Sequence, residues 1–318
     1  MSNFDFTLSK EPRPLVISIA LFIAILAVST ASLFIRFAQS EVPSLVIAAY
    51  RLSLAAIFTA FFIRRKELHE IQALDRKKWK LIVFSGLLLG VHFAFWISSL
   101  KMTSVTSSVV LVTTTPIWVV LFSPILLKEK NNWKTGLGLA IAFIGSIIVI
   151  FNIVCLLSSQ GLSCSLEKIF SEKNILAGNL FALVAAFAAA GYTMIGRKVR
   201  SFMSILPYTL VVYSIAAIEL IIFSLIAGEH FGGYSIQSVF WLILLALIPQ
   251  IIGHSTLNWT LGFLPASSVS IALLGEPVGS SLLAWVFLAE APTCLELIGG
   301  MIVLLGVLLA IRSTYKVT

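Results

Sequence analysis

Charge is scarce in this chain. Only 11% of its 318 residues are Asp, Glu, Lys or Arg, against roughly 25% in a soluble domain that must keep a polar skin. That shortage excludes an ordinary soluble enzyme. Cysteine is scarcer still, at three residues. With neither a Cys-x-x-Cys nor a His-Glu-x-x-His pattern, no metal and no cofactor are expected. A Gly-x-x-x-x-Gly-Lys-Ser/Thr phosphate loop is missing too, so ATP-driven work would need a separate subunit, and no ATP-binding subunit is expected as a partner. The formal charge of +8 is spread beside the ends of apolar runs rather than gathered in one patch, which argues against nucleic acid as a partner.

What fills the chain instead is apolar: 59% of residues are hydrophobic and the mean hydropathy is +1.03. A bilayer crossing takes about 20 apolar residues, and runs of that length recur from Leu15 to Ile311. Interrupting charges and turn residues divide them into ten expected helices, at 15–36, 44–63, 80–100, 104–127, 133–153, 175–195, 206–227, 238–261, 265–288 and 294–311. The division between 238 and 288 is the least marked, resting on Gly262 to Pro265 alone. The expected class is an all-α integral membrane protein whose partners are the lipid bilayer and a small-molecule substrate.

Lys and Arg favour the cytoplasmic side of short loops. With the N-terminus inside, the clusters Arg64 to Lys66, Arg76 to Lys80, Lys128 to Lys134 and Arg197 to Arg200 all fall inside, while the outer segments hold Arg36, Lys101, Lys168 and Lys173. Both termini are then expected in the cytoplasm. The start also has features of a secretory signal, with Lys10 and Arg13 ahead of an apolar stretch. Its full-span length and its counterpart in the second half favour a retained helix.

One offset links the two halves. Arg36 and Arg197, Pro116 and Pro277, Glu129 and Glu290, Gly138 and Gly299, and Gly145 and Gly306 each differ by 161 positions. The expected organisation is a tail at 1–14, a first repeat at 15–153, an outer loop at 154–174, a second repeat at 175–312 and a tail at 313–318. Five helices per repeat is an odd number, so the second copy enters the membrane from the opposite face. Inverted repeats of this kind typify secondary transporters, whose site lies near the midplane between the copies.

The run Phe95-Trp96, the small polar stretch Thr103 to Ser108, Pro116, Lys128-Glu129-Lys130 and the glycines from Gly136 to Gly145 stand in the first half. Asn258-Trp259, Pro265 to Ser268, Leu274 to Pro277 and Leu288 to Glu290 stand in the second. In order and spacing these resemble the EamA-type, ten-helix permeases of the drug/metabolite transporter superfamily, over almost the whole chain. The resemblance implies a bacterial inner-membrane permease moving small metabolites, often amino acids and often outward. Thr114-Thr115-Pro116 stands where the second half has Gly275-Glu276-Pro277, so the halves offer different chemistry to the cavity.

Ionisable groups inside a bilayer are expensive and therefore candidates for function. Glu276 precedes Pro277, which loosens the backbone ladder as Pro116 does in the first half. A carboxylate there suits a cationic substrate group or a proton; the alternative is a neutral carboxyl that fixes packing. Glu219 and His254 are further proton-coupling candidates, and His92 joins them as a titratable group, each also readable as a satisfied interhelical bond. Arg51, after Tyr50, suits a substrate carboxylate, or its stem reaches out to headgroups. Trp96, Tyr192, Tyr213, Asn258 and Trp259 are candidates for walling an apolar pocket. Thr114, Thr115, Ser267 and Ser270 offer hydroxyls to substrate or back-bond to their own helices. Glu129 and Glu290, at repeat-equivalent helix ends, are expected to cap the following helix or pair with loop cations as gates. A Cys155–Cys164 disulfide is a further option in the outer loop.

The expected function is a secondary transporter of small metabolites, amino acids or related compounds, in the export direction. Uptake or exchange of a cationic metabolite, such as a sulfonium or nucleoside compound, is the alternative. An intramembrane lipid-modifying enzyme is more distant, because the acid/base candidates are scattered in sequence.

Overall fold

Turn chemistry punctuates the apolar runs where the charge gaps predict it. In the computed structural model, which describes residues 12–129, 133–151, 155–158, 161–164 and 173–314, the chain is a helical bundle. The first run is α1 (Pro14–Ser29) and α2 (Ala31–Ala38), broken at Thr30. Next come α3 (Ser44–Ala60) and α4 (Arg65–Gln72), which turn 117° from one another. α4 was not expected: Glu67 accepts the Arg64 N–H at 3.0 Å, and the charged segment lies across the bundle rather than through it. α5 (Arg76–Met102) starts on Asp75, whose carboxylate accepts the Lys78 N–H at 2.8 Å. α6 (Val105–Val112) starts on Ser104 in the same manner. α7 (Thr115–Leu126) and α8 (Trp133–Phe151) complete the first half.

The connection between halves carries a feature absent from the expectations, an antiparallel hairpin of β1 (Cys155–Ser158) and β2 (Gly161–Cys164) that sets Cys155 opposite Cys164 in register. The side chains of the hairpin lie outside the described residues. The second half holds α9 (Lys173–Arg200), α10 (Ile205–Ile226) and α11 (Ile236–Leu245), a π-helical stretch Ala246–His254, then α12 (Ser255–Thr260). It ends with α13 (Ala266–Ala272), a 3₁₀ turn Leu273–Gly275, α14 (Glu276–Leu288) and α15 (Cys294–Thr314).

Helix thus occupies each of the ten expected positions, and the break at residues 261–265 divides the least-marked pair. Among the described residues, seven helical runs are long and apolar enough to cross a bilayer, eight if α3 and α4 count as one bent span. The expected ten crossings are therefore not established. α3, α8 and α15, of 17, 19 and 21 residues, do not enter that set on the described residues. Exposed Leu15, Phe22, Phe61, Ile125, Phe187, Ile226 and Val286 present the greasy exterior that lipid requires.

The halves are related by exchange. Gly145 lies so close to Gly299 and Val303 that an added Cβ would sit 2.6 Å from the Gly299 carbonyl oxygen. At Gly306 it would sit 2.5 Å from that of Gly138 and near Ala142. Every partner here is displaced by 161, so α8 and α15 cross through a reciprocal pair of glycine contacts, which lets the backbones meet. The Val105 N–H donates to Glu290 just past the end of α14, at 3.1 Å, and the Ala266 N–H donates to Glu129 just past the end of α7, at 3.2 Å. Each helix start therefore meets the end of its repeat-equivalent, which makes the α6–α7 and α13–α14 runs antiparallel.

Candidate functional site

Helices that should carry this fold across the membrane are broken at its centre. α6 gives way to α7 at Thr113–Thr114, and α13 gives way to α14 at Leu273–Gly275, positions that correspond at the 161-residue offset. Both second segments carry proline in their first turn, Pro116 and Pro277, where a missing N–H does least harm. α1 and α2 part at Thr30, and the hydroxyl of Ser280 donates to the Ser29 carbonyl at 3.1 Å. The π-helical stretch, containing Pro249, is a further interruption of a type often found at working sites.

A cavity lies among these breaks, walled by α5, the α6–α7 junction, α9, the π-helix with α12, and the α13–α14 junction. His92, Trp96, Thr115, Pro116, Tyr192, His254, Asn258 and Glu276 line it. The remaining wall is mostly apolar, including Leu89, Val112, Leu257, Leu261, Val269 and Leu273. Glu276 is 9% exposed, and among the described residues it is the one carboxylate on the cavity wall. His92 Nδ1 lies 3.0 Å from the Ala185 carbonyl oxygen. A carbonyl can only accept, so Nδ1 bears the proton. The ring stacks on Trp96 at 14° between planes. Asn258 donates to the Tyr192 hydroxyl at 2.5 Å, and Thr115 donates to the Ala186 carbonyl of α9 at 3.2 Å as well as to the Val112 carbonyl at the end of α6.

The other candidates sit elsewhere. Arg51 is fully buried, 0% exposed, which corrects the expectation that its stem reaches the headgroups. Its Nε donates to Gln250 Oε1 at 2.7 Å, behind the wall formed by Trp96 and His254. Tyr213, beside the cavity, shares a hydrogen bond with Ser255 at 3.0 Å. Tyr50 donates to the Phe231 carbonyl at 2.5 Å, tying α3 to the α10–α11 loop. Trp259 packs against Phe263, away from the cavity. Thr114 and Ser270 back-bond to Leu111 and Ser267, and buried Ser267 lies beside the same chain segment. Glu219 is half-buried in the notch at Gly90 of α5 and is not among the residues that line the cavity.

Sequence reasoning missed Gln250, buried within the π-helix, and Tyr208, which shares a hydrogen bond with Ser85 at 3.0 Å. It also missed Thr193 and the apolar lining. Helices apolar on every side give no stripe to show which face turns inward.

At each end of the bundle stands an Arg–Glu pair built across the halves. Arg36 Nη2 donates to Glu290 Oε1 at 2.6 Å, and Arg197 Nε donates to Glu129 Oε1 at 3.0 Å. Each pair is the other displaced by 161. Both glutamates thus pair with a cation, one of the two roles expected of them. Each caps the opposite repeat, at Val105 and Ala266, because the inversion brings that helix start alongside.

The EamA-like transporter family matches the chain twice, at residues 15–151 and 176–312. Three relatives are all described as uncharacterized transporters. The one from Synechocystis sp. is 25% identical over 79% of this chain and 70% of its own. The one from Bacillus subtilis is 24% identical over 83% and 78%, and the one from Archaeoglobus fulgidus is 25% identical over 89% and 93%. A crystal structure shares the fold with a TM-score of 0.68 at 18% identity, covering 95% of this chain and 99% of that one. Two family matches of equal length, offset by the same 161 residues, identify this multi-pass membrane protein as a member of the EamA-like transporter family.

Proposed function

We infer that the protein is a secondary transporter exporting amino acids or related small metabolites by alternating access. The observation that carries this is the cavity at the repeat-equivalent helix breaks, with walls drawn from both halves and one cross-repeat ion pair toward each end. Opening one pair while the other holds would expose the cavity to one side at a time. The ends are related by pseudo-symmetry, so the two open forms are of similar energy. The charge asymmetry of the loops supports the Arg197–Glu129 end, both termini and Arg64 to Lys80 on the cytoplasmic side of the inner membrane. The partners are then a small-molecule substrate and the bilayer, with no ATP-binding subunit.

A second reading is favoured by Glu276, a carboxylate on an otherwise mostly apolar and aromatic wall. It fits uptake or exchange of a cationic metabolite. Counterflow in proteoliposomes separates the two readings. Labelled amino acids, nucleosides and sulfonium compounds are offered to vesicles preloaded with each class. Saturable counterflow of amino acids supports the first reading, counterflow of cations alone supports the second, and no counterflow in any class defeats both.

A further inference from the structure

Three carboxylates lie in the segment from Arg64 to Lys80, and each is committed to a backbone N–H. Glu67 accepts that of Arg64 at 3.0 Å, Asp75 that of Lys78 at 2.8 Å, and Glu70 that of Ser204, at the start of α10, at 2.8 Å. The same segment carries seven cations. Lys78 lies 5.0 Å from the Phe202 ring centroid. The other six, Arg64, Arg65, Lys66, Arg76, Lys77 and Lys80, are exposed, and none is within ion-pair distance of a carboxylate among the described residues. With the local anions taken up as caps, this surface is left strongly basic.

Its shape is as specific as its charge. α4 turns 117° away from α3, and Glu67, Glu70, Ile71 and Leu74 recur at helical spacing on its half-buried face. Ile71 and Leu74 pack against the core, and the Glu70 bond fastens α4 to α10. The opposite face presents Arg65, Lys66, Leu68, His69 and Gln72, all exposed. Phe61 and Phe62, at the elbow where α3 ends, are exposed as well. Apolar side chains set among cations on a helix lying across the bundle suit a membrane surface, where the apolar groups reach the acyl boundary and the cations meet headgroups. An orientation signal needs only the charges, and a soluble acidic partner gains little from Phe61 and Leu68.

We propose that the outer face of α4 and the first turn of α5 form a docking surface for anionic phospholipid headgroups, with the six exposed cations on lipid phosphates and Phe61 and Leu68 at the acyl boundary. Clusters of four to eight Lys or Arg beside a membrane span attract anionic lipid by this chemistry. The surface lies at the end of the bundle that carries the Arg197–Glu129 pair, since Ser204 follows the last turn of α9. It concerns the bilayer rather than the cargo, so it stands apart from the carrier reading.

The test uses the intact protein in vesicles of phosphatidylcholine titrated with phosphatidylglycerol, either lipid carrying brominated chains that quench a nearby indole. Half-buried Trp79, among Lys77, Lys78 and Lys80, is the reporter, isolated by subtracting the signal of Trp79→Phe. The wild type should prefer phosphatidylglycerol at least about tenfold at low salt, since each cation near the surface is worth roughly a factor of five. About 1 M salt, which shortens the screening length to ~3 Å, should bring the preference close to parity. The triple variant Arg64→Gln, Arg65→Gln, Lys66→Gln should lower the preference at least about fivefold, whereas Arg64→Lys with Arg65→Lys, which keeps the charge, should retain it. Equal affinity of the wild type for the two lipids, a preference that survives high salt, or a triple variant as selective as the wild type overturns the proposal. The wild-type arms decide it even where a variant fails to fold.

Discussion

Lys128 and Ala289 share one left-handed backbone conformation, with φ of 58° and 57°, and they stand 161 residues apart. They are the non-glycine residues with positive φ among the described ones, and each immediately precedes a cross-repeat glutamate, Glu129 or Glu290. The turn ends one helix and aims the next carboxylate at the other half. Left-handed geometry at a residue with a Cβ costs on the order of 1 to 3 kcal/mol and persists where the surroundings over-determine it.

Replacing either residue by glycine therefore removes strain. Ala289→Gly is expected to raise stability by about 0.5 to 1 kcal/mol, read as a higher Tm in detergent. Ala289→Val, branched at Cβ, lowers it by more than 1 kcal/mol. A drop in Tm for the glycine variant would show that the strain assignment is mistaken.

The two ion pairs control opposite ends. Glu290→Gln loses the charge for Arg36 and weakens the cap on Val105; Glu129→Gln does the same for Arg197 and Ala266. The pairs are partly exposed, so each substitution costs only about 1 to 2 kcal/mol, cap included. Under the alternating-access reading, that suffices to shift a near-balanced equilibrium about tenfold. Cysteines introduced near each end should gain reactivity toward a thiol reagent at the weakened end and lose it at the other. Equal reactivity in both variants would sever the pairs from gating.

Glu276→Gln keeps the shape of the side chain and deletes its charge. Counterflow should fall at least tenfold, consistent with a lost charge-assisted contact, while Tm changes by less than a few degrees. Intact flux with unaltered pH dependence would make Glu276 a packing residue.

Glycine positions differ in tolerance according to what they face. Gly145→Ala sets a methyl 2.6 Å from the Gly299 carbonyl oxygen and 2.8 Å from the Val303 nitrogen, where only backbone movement relieves the clash, so a loss of 1 to 3 kcal/mol is expected. Gly90→Ala meets Glu219 Oε2, the tip of a flexible side chain free to turn away, and should cost under about 1 kcal/mol. Parallel melting curves rank the two.

The hairpin register sets Cys155 across from Cys164, and facing residues of an antiparallel pair have Cα atoms about 4.5 to 5.5 Å apart, within the span a disulfide bridges. Non-reducing peptide mapping of protein purified from an oxidising compartment should recover the two cysteines as one cross-linked peptide. Two alkylated free thiols would dispose of the bridge.

Much of the fold was legible because the informative residues are punctuation. Pro116 with Pro277, Glu129 with Glu290 and the paired glycines carry the repeat, since turns and backbone contacts tolerate few residue types. Orientation within each helix was not legible. Arg51 reads more readily as reaching lipid headgroups than as facing the interior, because the residues around it are apolar on every side, yet it is buried. The π-helix that carries Gln250 lacks any local signature beyond Pro249, which elsewhere produces only a kink. The caps of Glu290 on Val105 and of Glu129 on Ala266 were not legible, because capping rules are local in sequence, whereas these caps exist only after two distant halves interlock.

That interlocking bears on how the chain is made. When the ribosome has delivered only the first half, Arg36 and Glu129 are both present, and each awaits a partner that has yet to be synthesised. Insertion into lipid must therefore run ahead of closure, and the last helix to emerge finishes the first. A chain cut between the halves should reach the bilayer and remain there as an open, adhesive intermediate, the natural prey of membrane quality-control proteases.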